Sequence, residues 1–414
     1  MDRALGVTEA DVVVVGAGAL GLAAGYHLAK LGAGRVVVLD KFAPGSQSSG
    51  RAAGLFKRVQ ADEPLTRLSR LSVDVVSDLE RELDRPLLVR SGSILAARTP
   101  AHAALIRDEV ANAQSWGAEA EWIDAAEAGR RAPYLTGEGL RAAVYVPGDC
   151  YIEEPIDLLE AYREATTRRG GQVIGETPVT RIDVERGRVV GVGTPRGDIR
   201  TERVVDAAGG WVRSVADLAG TRVAAAPYRH QLVITEPIAG VPATDPITRL
   251  IDASSYLRPA RGGIMFGGFE SDPLAFDPAL AGPSFTMDGI PLDLGVIEGF
   301  RDALAGQVAA LADAPLAEHR GGVFTMTPDA RFLAGPVAGL EGFWLATGCN
   351  GSGFSLAAGL GRLLAEWMLG GEPSLDMSTW DPRRFKQPFS DDELLASGAY
   401  RYANYYTPPE YFAT

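Results

Sequence analysis

The feature that most constrains this chain is a glycine-spaced turn between two short apolar strands near its N-terminus. Val12–Val15 form an apolar run typical of a buried parallel strand, and Gly16, Gly18 and Gly21 follow it in G-x-G-x-x-G spacing. A segment of helical composition comes next, and a second apolar run ends at Asp40. A strand, this turn, a helix, a second strand and a terminal acid, in that order, predict a βαβ unit that binds a dinucleotide.

Each part of this unit has a physical reason. Gly16 allows the tight turn, Gly18 lets a pyrophosphate approach the backbone, and Gly21 lets the helix pack closely on the strand. The helix N-terminus stabilises phosphate charge, and the Asp40 carboxylate can accept hydrogen bonds from a ribose. The predicted cofactor contacts in this unit are Gly16, Gly18, Ala19, Leu20, Gly21, Asp40 and Lys41.

Length and composition narrow the class of protein. A chain of 414 residues favours two domains, or one domain with a large insertion. The net charge of -13 argues against nucleic acid and anionic membranes as partners. Two cysteines make no disulfide framework, and four histidines without paired spacing give no support for a metal site. The sequence shows neither a secretory leader nor an apolar run of membrane length, which predicts a cytoplasmic protein without membrane insertion.

The rest of the chain alternates between predicted helices and strands. Helices are predicted over residues 65–83, 101–116, 124–131, 155–169, 212–218, 290–312 and 354–369. Residues 172–174, 179–184 and 189–192 predict a three-stranded meander inserted into the nucleotide-binding fold, and residues 203–208 predict a buried strand that resumes it. Residues 223–275 and 319–326 predict a second sheet. Residues 377–414 are interpreted as irregular, with a tyrosine cluster at 400–406.

Five segments together resemble the FAD-dependent D-amino-acid-oxidase-like superfamily, in the branch with sarcosine oxidase, dimethylglycine dehydrogenase and glycine oxidase. They are the N-terminal unit, SSGRAAG (48–54), VVDAAGGWVRSVADLAG (204–220), the pair HQLVITEP (230–237) and YLRPARGGIMFGG (256–268), and TPDARFLAGP (327–336) with ATGCNGSGFSLAAGLGRLLAEWMLGGEP (346–373).

The resemblance implies an α/β fold with a Rossmann-like FAD-binding domain and a mixed-sheet substrate domain, each discontinuous in sequence. The FAD-binding domain would take residues 1–90, 150–222 and 326–376, the substrate domain 91–149 and 223–325, and a C-terminal extension 377–414. In relatives, the residues matching Ser48 and Ser49 bind the pyrophosphate, and those matching Val179 and Gly209 lie by the adenine and the ribose. The resemblance places the flavin pyrimidine edge against Gly351, Ser352, Gly353, Phe354 and Ser355.

The resemblance also bears on how FAD is held. Relatives with covalent flavin use a cysteine at the position of Gly322 or a histidine at the position of Arg51. We therefore expect non-covalent FAD, with Arg51 among its contacts. Cys349 is a possible covalent anchor for which the family offers no matching precedent.

Departures from the family affect the substrate and the acceptor. Met265 stands where monomeric sarcosine oxidase has a lysine that promotes reaction with oxygen, which weakens the prediction of an oxidase without excluding it. Ser355 stands where that enzyme has a lysine that binds the substrate carboxylate. The remaining candidates for the catalytic and substrate site are Tyr256, Lys57, Arg58 and Arg258.

The leading hypothesis is a flavoenzyme that oxidises a C–N bond of a secondary or tertiary amine or an amino acid. Hydride passes to flavin N5, the imine hydrolyses, and oxygen or another acceptor reoxidises the flavin. One alternative is oxidation of a 2-hydroxy acid, disfavoured because residues 51–58 contain no histidine. Another is a flavin-bearing β subunit of a multi-subunit amine dehydrogenase. An oligomer is possible, and a plain NAD-dependent dehydrogenase fits poorly.

Overall fold

A computed structural model describes residues 5–406, which form nine helices and twenty strands. The helices are α1 (Ala19–Lys30), α2 (Glu63–Leu83), α3 (Pro100–Ser115), α4 (Ala125–Arg131), α5 (Pro155–Arg168), α6 (Val212–Leu218), α7 (Leu294–Leu304), α8 (Gly353–Gly370) and α9 (Asp391–Ala403). The strands are β1 (Val12–Val15), β2 (Val36–Leu39), β3 (Leu55–Phe56), β4 (Leu88–Val89), β5 (Ser93–Ala97), β6 (Glu121–Trp122), β7 (Ala142–Val146), β8 (Cys150–Ile152), β9 (Gln172–Ile174), β10 (Arg181–Glu185), β11 (Arg188–Thr194), β12 (Gly197–Arg200), β13 (Val204–Asp206), β14 (Ala226–Thr235), β15 (Ile247–Leu250), β16 (Ser255–Ala260), β17 (Gly263–Gly268), β18 (Leu316–Met326), β19 (Leu333–Pro336) and β20 (Phe343–Thr347).

The first sheet has six strands in the order β19-β20-β13-β1-β2-β9, and all its pairs are parallel except β19 with β20. Its central strands are buried on both faces, which explains their continuous runs of valine. Val12 and Val14 pack among α1, α2, α5 and α8, whereas Val13 and Val15 pack against the β10–β12 meander and α6. The sheet is therefore covered on both sides.

The second sheet has eight strands in the order β18-β14-β17-β16-β15-β5-β7-β6. Its pairs are antiparallel except β15 with β5. A third, small sheet consists of β3, β8 and β4. Its apolar residues share a core with the first sheet, and the carbonyl of Ile152 in β8 accepts a hydrogen bond from Arg258 in β16 of the second. The α/β fold, with a Rossmann-like sheet and a second mixed sheet, is confirmed, while the domain boundaries stay a prediction.

Two sequence predictions were wrong in detail. The strand at 172–174 does not belong to the meander, because β9 pairs in parallel with β2 and extends the first sheet; the meander consists of β10, β11 and β12. The stretch after residue 377 is not irregular throughout, because α9 begins there with a capping box between Ser390 and Glu393. The end of the predicted extension, residues 407–414, lies outside the described residues.

Helices α1 and α8 touch through a glycine. A Cβ added to Gly361 would lie 2.7 Å from the carbonyl carbon of Ala23 and 2.7 Å from the backbone nitrogen of Ala24. The absence of a side chain therefore lets the two helix backbones come together. Because both helices begin at the cavity described next, this contact helps to set the distance between its two ends.

Two further observations concern the described part of the chain. No helix between residues 5 and 406 is long and apolar enough to cross a membrane. Cys150 is buried and Cys349 half-buried, and both thiols are free.

Candidate active site

A cavity of about 500 Å³ lies between the two large sheets. It is bounded by the carboxyl ends of β1, β2 and β13, by the start of α8, and by one face of the second sheet. Sixteen of the predicted cofactor contacts line it: Gly16, Gly18, Ala19, Leu20, Asp40, Lys41, Ser48, Ser49, Arg51, Val179, Gly209, Gly351, Ser352, Gly353, Phe354 and Ser355. Lys57 and Tyr256 line it too.

The glycine turn forms one end of the cavity. Gly16 has a φ of +108°, which strongly favours glycine, and a Cβ there would collide with the carbonyl of Ala207. The N-cap residue of α1, Gly18, has no side chain to cap the helix, and the first turn holds no acidic residue. The Oγ of Ser49 accepts a hydrogen bond from the backbone N–H of Ala19 at 3.0 Å. Backbone donors and the positive end of the helix dipole therefore face the cavity, an arrangement suited to an anion.

Asp40 joins the glycine turn to the end of β2. Its carboxylate accepts hydrogen bonds from the backbone N–H groups of Ala17, at 2.6 Å, and Phe42, at 2.7 Å. Burial raises the pKa of Asp40, and these two hydrogen bonds oppose the shift. Each carboxylate oxygen keeps a second lone pair for a hydroxyl in the cavity.

Gly21 is the one predicted cofactor contact of the glycine turn that does not line the cavity. A Cβ on Gly21 would strike the carbonyl oxygen of Gly16. The residue therefore acts by letting α1 pack closely on the turn that follows β1.

The start of α8 forms the other end. Gly351 has a φ of +78°, and the N-terminus of α8 has neither a capping side chain nor an acidic residue in its first turn. Elsewhere on the cavity wall, the Oγ of Ser48 accepts a hydrogen bond from the N–H of Val323 at 3.0 Å, which ties β18 to residues 48–51. Free backbone donors at this end again favour negative charge.

The structure corrects two of the predicted catalytic residues, Arg258 and Arg58, because neither lines the cavity. The guanidinium of Arg258 is fully buried and donates to the carbonyls of Ala53 at 2.9 Å and Pro259 at 2.7 Å, and also to Glu153. Arg58 directs its Nε to the carbonyl of Gly148 at 3.3 Å. Both arginines hold loops together.

Tyr256 and Lys57 do face the cavity, and each has a tyrosine or histidine partner. The Tyr256 hydroxyl is 2.8 Å from Nε2 of His230, whose Nδ1 is 2.7 Å from the hydroxyl of Tyr402. Lys57 donates from Nζ to the Tyr405 hydroxyl at 2.8 Å. Burial lowers the pKa of His230 to about 3, so this imidazole is neutral near pH 7.

Several cavity residues were not predicted from the sequence. They are mainly aromatic and basic side chains of the second sheet and the C-terminal segment: His230, Arg249, Phe269, Arg320, Phe324, Tyr405 and Tyr406. Two features of the sequence could have indicated three of them. His230 lies in the quoted HQLVITEP segment, and the tyrosine cluster contains Tyr405 and Tyr406. Arg249 carries no local signal, because only strand pairing places it beside Tyr256.

Comparisons with known proteins agree with this architecture. Residues 11–367 match the family described as FAD dependent oxidoreductase. Dimethylglycine dehydrogenase of Mus musculus is 30% identical over 390 residues, covering 91% of this chain and 44% of that protein. Glycine oxidase of Pseudomonas aeruginosa is 28% identical over 380 residues, and the match covers 90% of this chain and 98% of that protein. The solved structure of L-proline dehydrogenase from P. horikoshii has the same fold, with a TM-score of 0.83, 24% identity and coverage of 92% and 98%. The chain spans less than half the length of the mammalian relatives it matches.

Proposed function

Because the chain belongs to the family of FAD-dependent oxidoreductases, we propose that it oxidises a C–N bond of a small amine that also carries a carboxylate, such as an N-methyl amino acid. Dimethylglycine dehydrogenase and glycine oxidase, to which the chain is similar, are named for two such amines. In both substrates the nitrogen stands one carbon from the carboxylate.

The cavity fits the cofactor of this family at both ends. A dinucleotide carries negative charge on its pyrophosphate, and the N-terminus of α1, beside Gly16 and Gly18, suits that charge. The uncapped N-terminus of α8, at Gly353, suits the edge of the flavin that becomes negative on reduction. Between these ends, Ser48 and Ser49 present hydroxyls to the same cavity.

One observation carries the proposal: the cavity wall beside the α8 N-terminus is aromatic and holds a neutral imidazole. Phe324 stacks on His230 with ring centroids 4.2 Å apart, and Phe269 stacks on Tyr405 at 3.9 Å. Burial against these rings removes water from a bound amine, which disfavours its charged form, so we propose that the amine reacts without its proton. When bound, FAD supplies the acceptor for the hydride of the amine's C–H bond.

The residues in this wall bind the amine and orient it toward the cofactor. The oxidation removes one hydride and one proton from the amine and its carbon, leaving an imine that water hydrolyses. Since His230 is held between the hydroxyls of Tyr256 and Tyr402, the imidazole orients the Tyr256 hydroxyl toward the cavity. An amine that enters unprotonated needs no protein base for the hydride step.

A panel of substrates tests the function. The purified yellow protein is mixed without oxygen with sarcosine, dimethylglycine, glycine, D-alanine and lactate, and the loss of flavin absorbance is followed. We expect bleaching by one or more of the amines and none by lactate. Bleaching by the hydroxy acid alone would contradict the proposal, and a panel that leaves the flavin oxidised would count against it as well.

We also propose that FAD is held without a covalent bond. A Cβ at Gly322 would lie 2.9 Å from the Cβ of Ser48, so this position leaves no room for a cysteine thioether. Arg51 pairs with Asp288 instead of offering an imidazole. Acid precipitation is expected to leave a yellow supernatant. A yellow pellet would contradict this, and replacing Cys349 by serine would then show whether that thiol is the anchor.

A further inference from the structure

One face of the second sheet directs a row of side chains into the cavity. Residues directly opposite one another in neighbouring strands share a face. Arg249 of β15 is paired with Tyr256 of β16, and through Gly267 and Leu232 the row reaches Arg320 of β18. Four strand spacings separate the two arginines, roughly 19 Å. The row therefore carries a positive charge at each end.

The two arginines are paired with different acids. Arg320 places Nε 2.9 Å and Nη2 3.1 Å from the carboxylate of Glu318, which is 35% exposed and also pairs with Arg261. Arg249 reaches Asp149 through Nη2 alone, at 3.2 Å, although its side chain is only 5% exposed. Within residues 5–406, the buried Nε atoms of Arg249 and Arg320 both lack a hydrogen-bond partner, but only Arg320 has its Nε within 3 Å of its acid.

The acid beside Arg249 also has other partners. Asp149 accepts hydrogen bonds from the hydroxyl of Ser93 at 2.6 Å and from the backbone N–H of Arg58 at 2.6 Å. Burial raises the pKa of Asp149, and the nearby Arg249 is the first of the effects that oppose the shift. The carboxylate is thus shared among three donors, which leaves the guanidinium of Arg249 only partly satisfied.

A second cation stands in the same corner. The charges of Lys57 and Arg249 both act on the hydroxyl of Tyr405 and on the carboxyl of Glu109. Burial acts to raise the pKa of Tyr405, but Lys57, the hydrogen bond from Ser352 and Arg249 together bring it below its ordinary value. Burial raises the pKa of Glu109, and the charges of Lys57 and Arg249 oppose that shift. This corner therefore favours an added anion.

We propose that Arg249, with Lys57 beside it and Tyr405 and Tyr406 closing the corner, forms the subsite that holds the carboxylate of the substrate. This inference rests on the proposed function and names the specificity-determining residue for it. A guanidinium can bind a carboxylate through two parallel N–H donors, which makes Arg249 better suited than a lysine to fix orientation. Ser355 does not supply the carboxylate's partner, because its hydroxyl already donates to the carbonyl of Ser352 at 3.1 Å.

The subsite selects amines by what they carry. An amine whose carboxylate is replaced by a neutral amide leaves the guanidinium of Arg249 with only its partial pairing to Asp149, and we expect such an amine to bind at least about 30-fold more weakly. Tyr256 is the neighbour of Arg249 in the row, so the reacting carbon of a bound amino acid would stand near its hydroxyl.

The test measures binding to the oxidised holoenzyme rather than turnover. Sodium acetate and acetamide are titrated by calorimetry against wild type, Arg249→Lys, and the double variant Arg249→Met with Asp149→Asn. The double variant removes the carboxylate that the single change would leave buried and unpaired. Arg261→Met, an exposed arginine paired with Glu154 and Glu318, controls for the loss of one positive charge. Retention of the flavin spectrum shows that each variant is folded.

We expect wild type and Arg261→Met to prefer acetate over acetamide by at least about 30-fold, Arg249→Lys to show a reduced preference, and the double variant to show none. Equal acetate affinity in wild type and the double variant would overturn the proposal, and so would loss of the preference in Arg320→Met with Arg249 intact. If wild type oxidises none of the amines while acetate binding still follows Arg249, the proposed function fails and the subsite stands. If amines are oxidised without any preference for a carboxylate, the function stands and the subsite fails.

Discussion

The contact between α1 and α8 gives a prediction that can be worked from the structure. In Gly361→Ala, the new Cβ would lie 2.7 Å from backbone atoms of Ala23 and Ala24. An ordinary contact of about 3.4 Å requires the helices to separate by roughly 0.7 Å. Neither backbone can yield as a flexible side chain would.

The cost follows from two opposing effects. Overpacking a well-packed contact costs about 1–3 kcal/mol, while alanine is favoured over glycine in a helix by about 0.8–1 kcal/mol. We expect the free energy of unfolding of Gly361→Ala to fall by up to about 2 kcal/mol. Gly361 lies eight residues from the start of α8, about 12 Å along its axis, so the shift also reaches the cavity. We expect FAD affinity to fall by about 10-fold.

Gly370→Ala is the matched control. Gly370 is the last residue of the same helix, is exposed, and an added Cβ there would meet no atom within 4 Å. Urea unfolding of the apoproteins gives the change in free energy of unfolding, and flavin fluorescence gives the FAD dissociation constant. If Gly361→Ala is as stable as Gly370→Ala and binds FAD like wild type, then close backbone approach does not set the spacing of the two helices.

Three further predictions concern single polar groups. Asp206 is fully buried and burial raises its pKa well above 3.8; the folded state therefore keeps a proton that the unfolded state releases, so stability falls as pH rises above that value. Asp206→Asn should remove this fall, so its gain over wild type in urea unfolding should grow between about pH 4 and about pH 8; a constant difference would contradict the reasoning. Asp40→Ala should weaken FAD binding at least about 10-fold, because the N–H of Ala17 loses its acceptor, and an unchanged dissociation constant would refute this. Ser49→Ala should weaken it by a smaller factor, about 3- to 10-fold, because the N–H of Ala19 can bind the cofactor or water instead; a loss greater than in Asp40→Ala would reverse the argument.

The local parts of the cavity could be predicted from the sequence. Two short segments have backbone geometry that follows from their own glycines. They are the turn at Gly16 and Gly18 and the start of α8 at Gly353. The sequence order of apolar runs also indicated the first sheet. These features depend on neighbours in the chain, which is why reading residues in order recovers them.

The substrate side depends on pairing between distant segments. Arg258 lies two residues after Tyr256 on β16, and alternation puts both on one face. Only the structure shows that the loop carrying Ala53 and the end of β8 cover Arg258 and take up its guanidinium. Arg249 enters the cavity because β15 pairs with β16, a register that no local pattern specified.

The walls of the cavity come from widely separated parts of the chain, and this has a consequence for how the cofactor is acquired. Gly16 is among the first cavity residues to be synthesised, whereas Gly353 follows 337 residues later. At ordinary rates of translation that interval is roughly 20–70 s. Until then the emerging polypeptide can offer a phosphate site but no place for the isoalloxazine ring. The complete FAD site therefore forms only near the end of synthesis, after the residues of both its ends have been made.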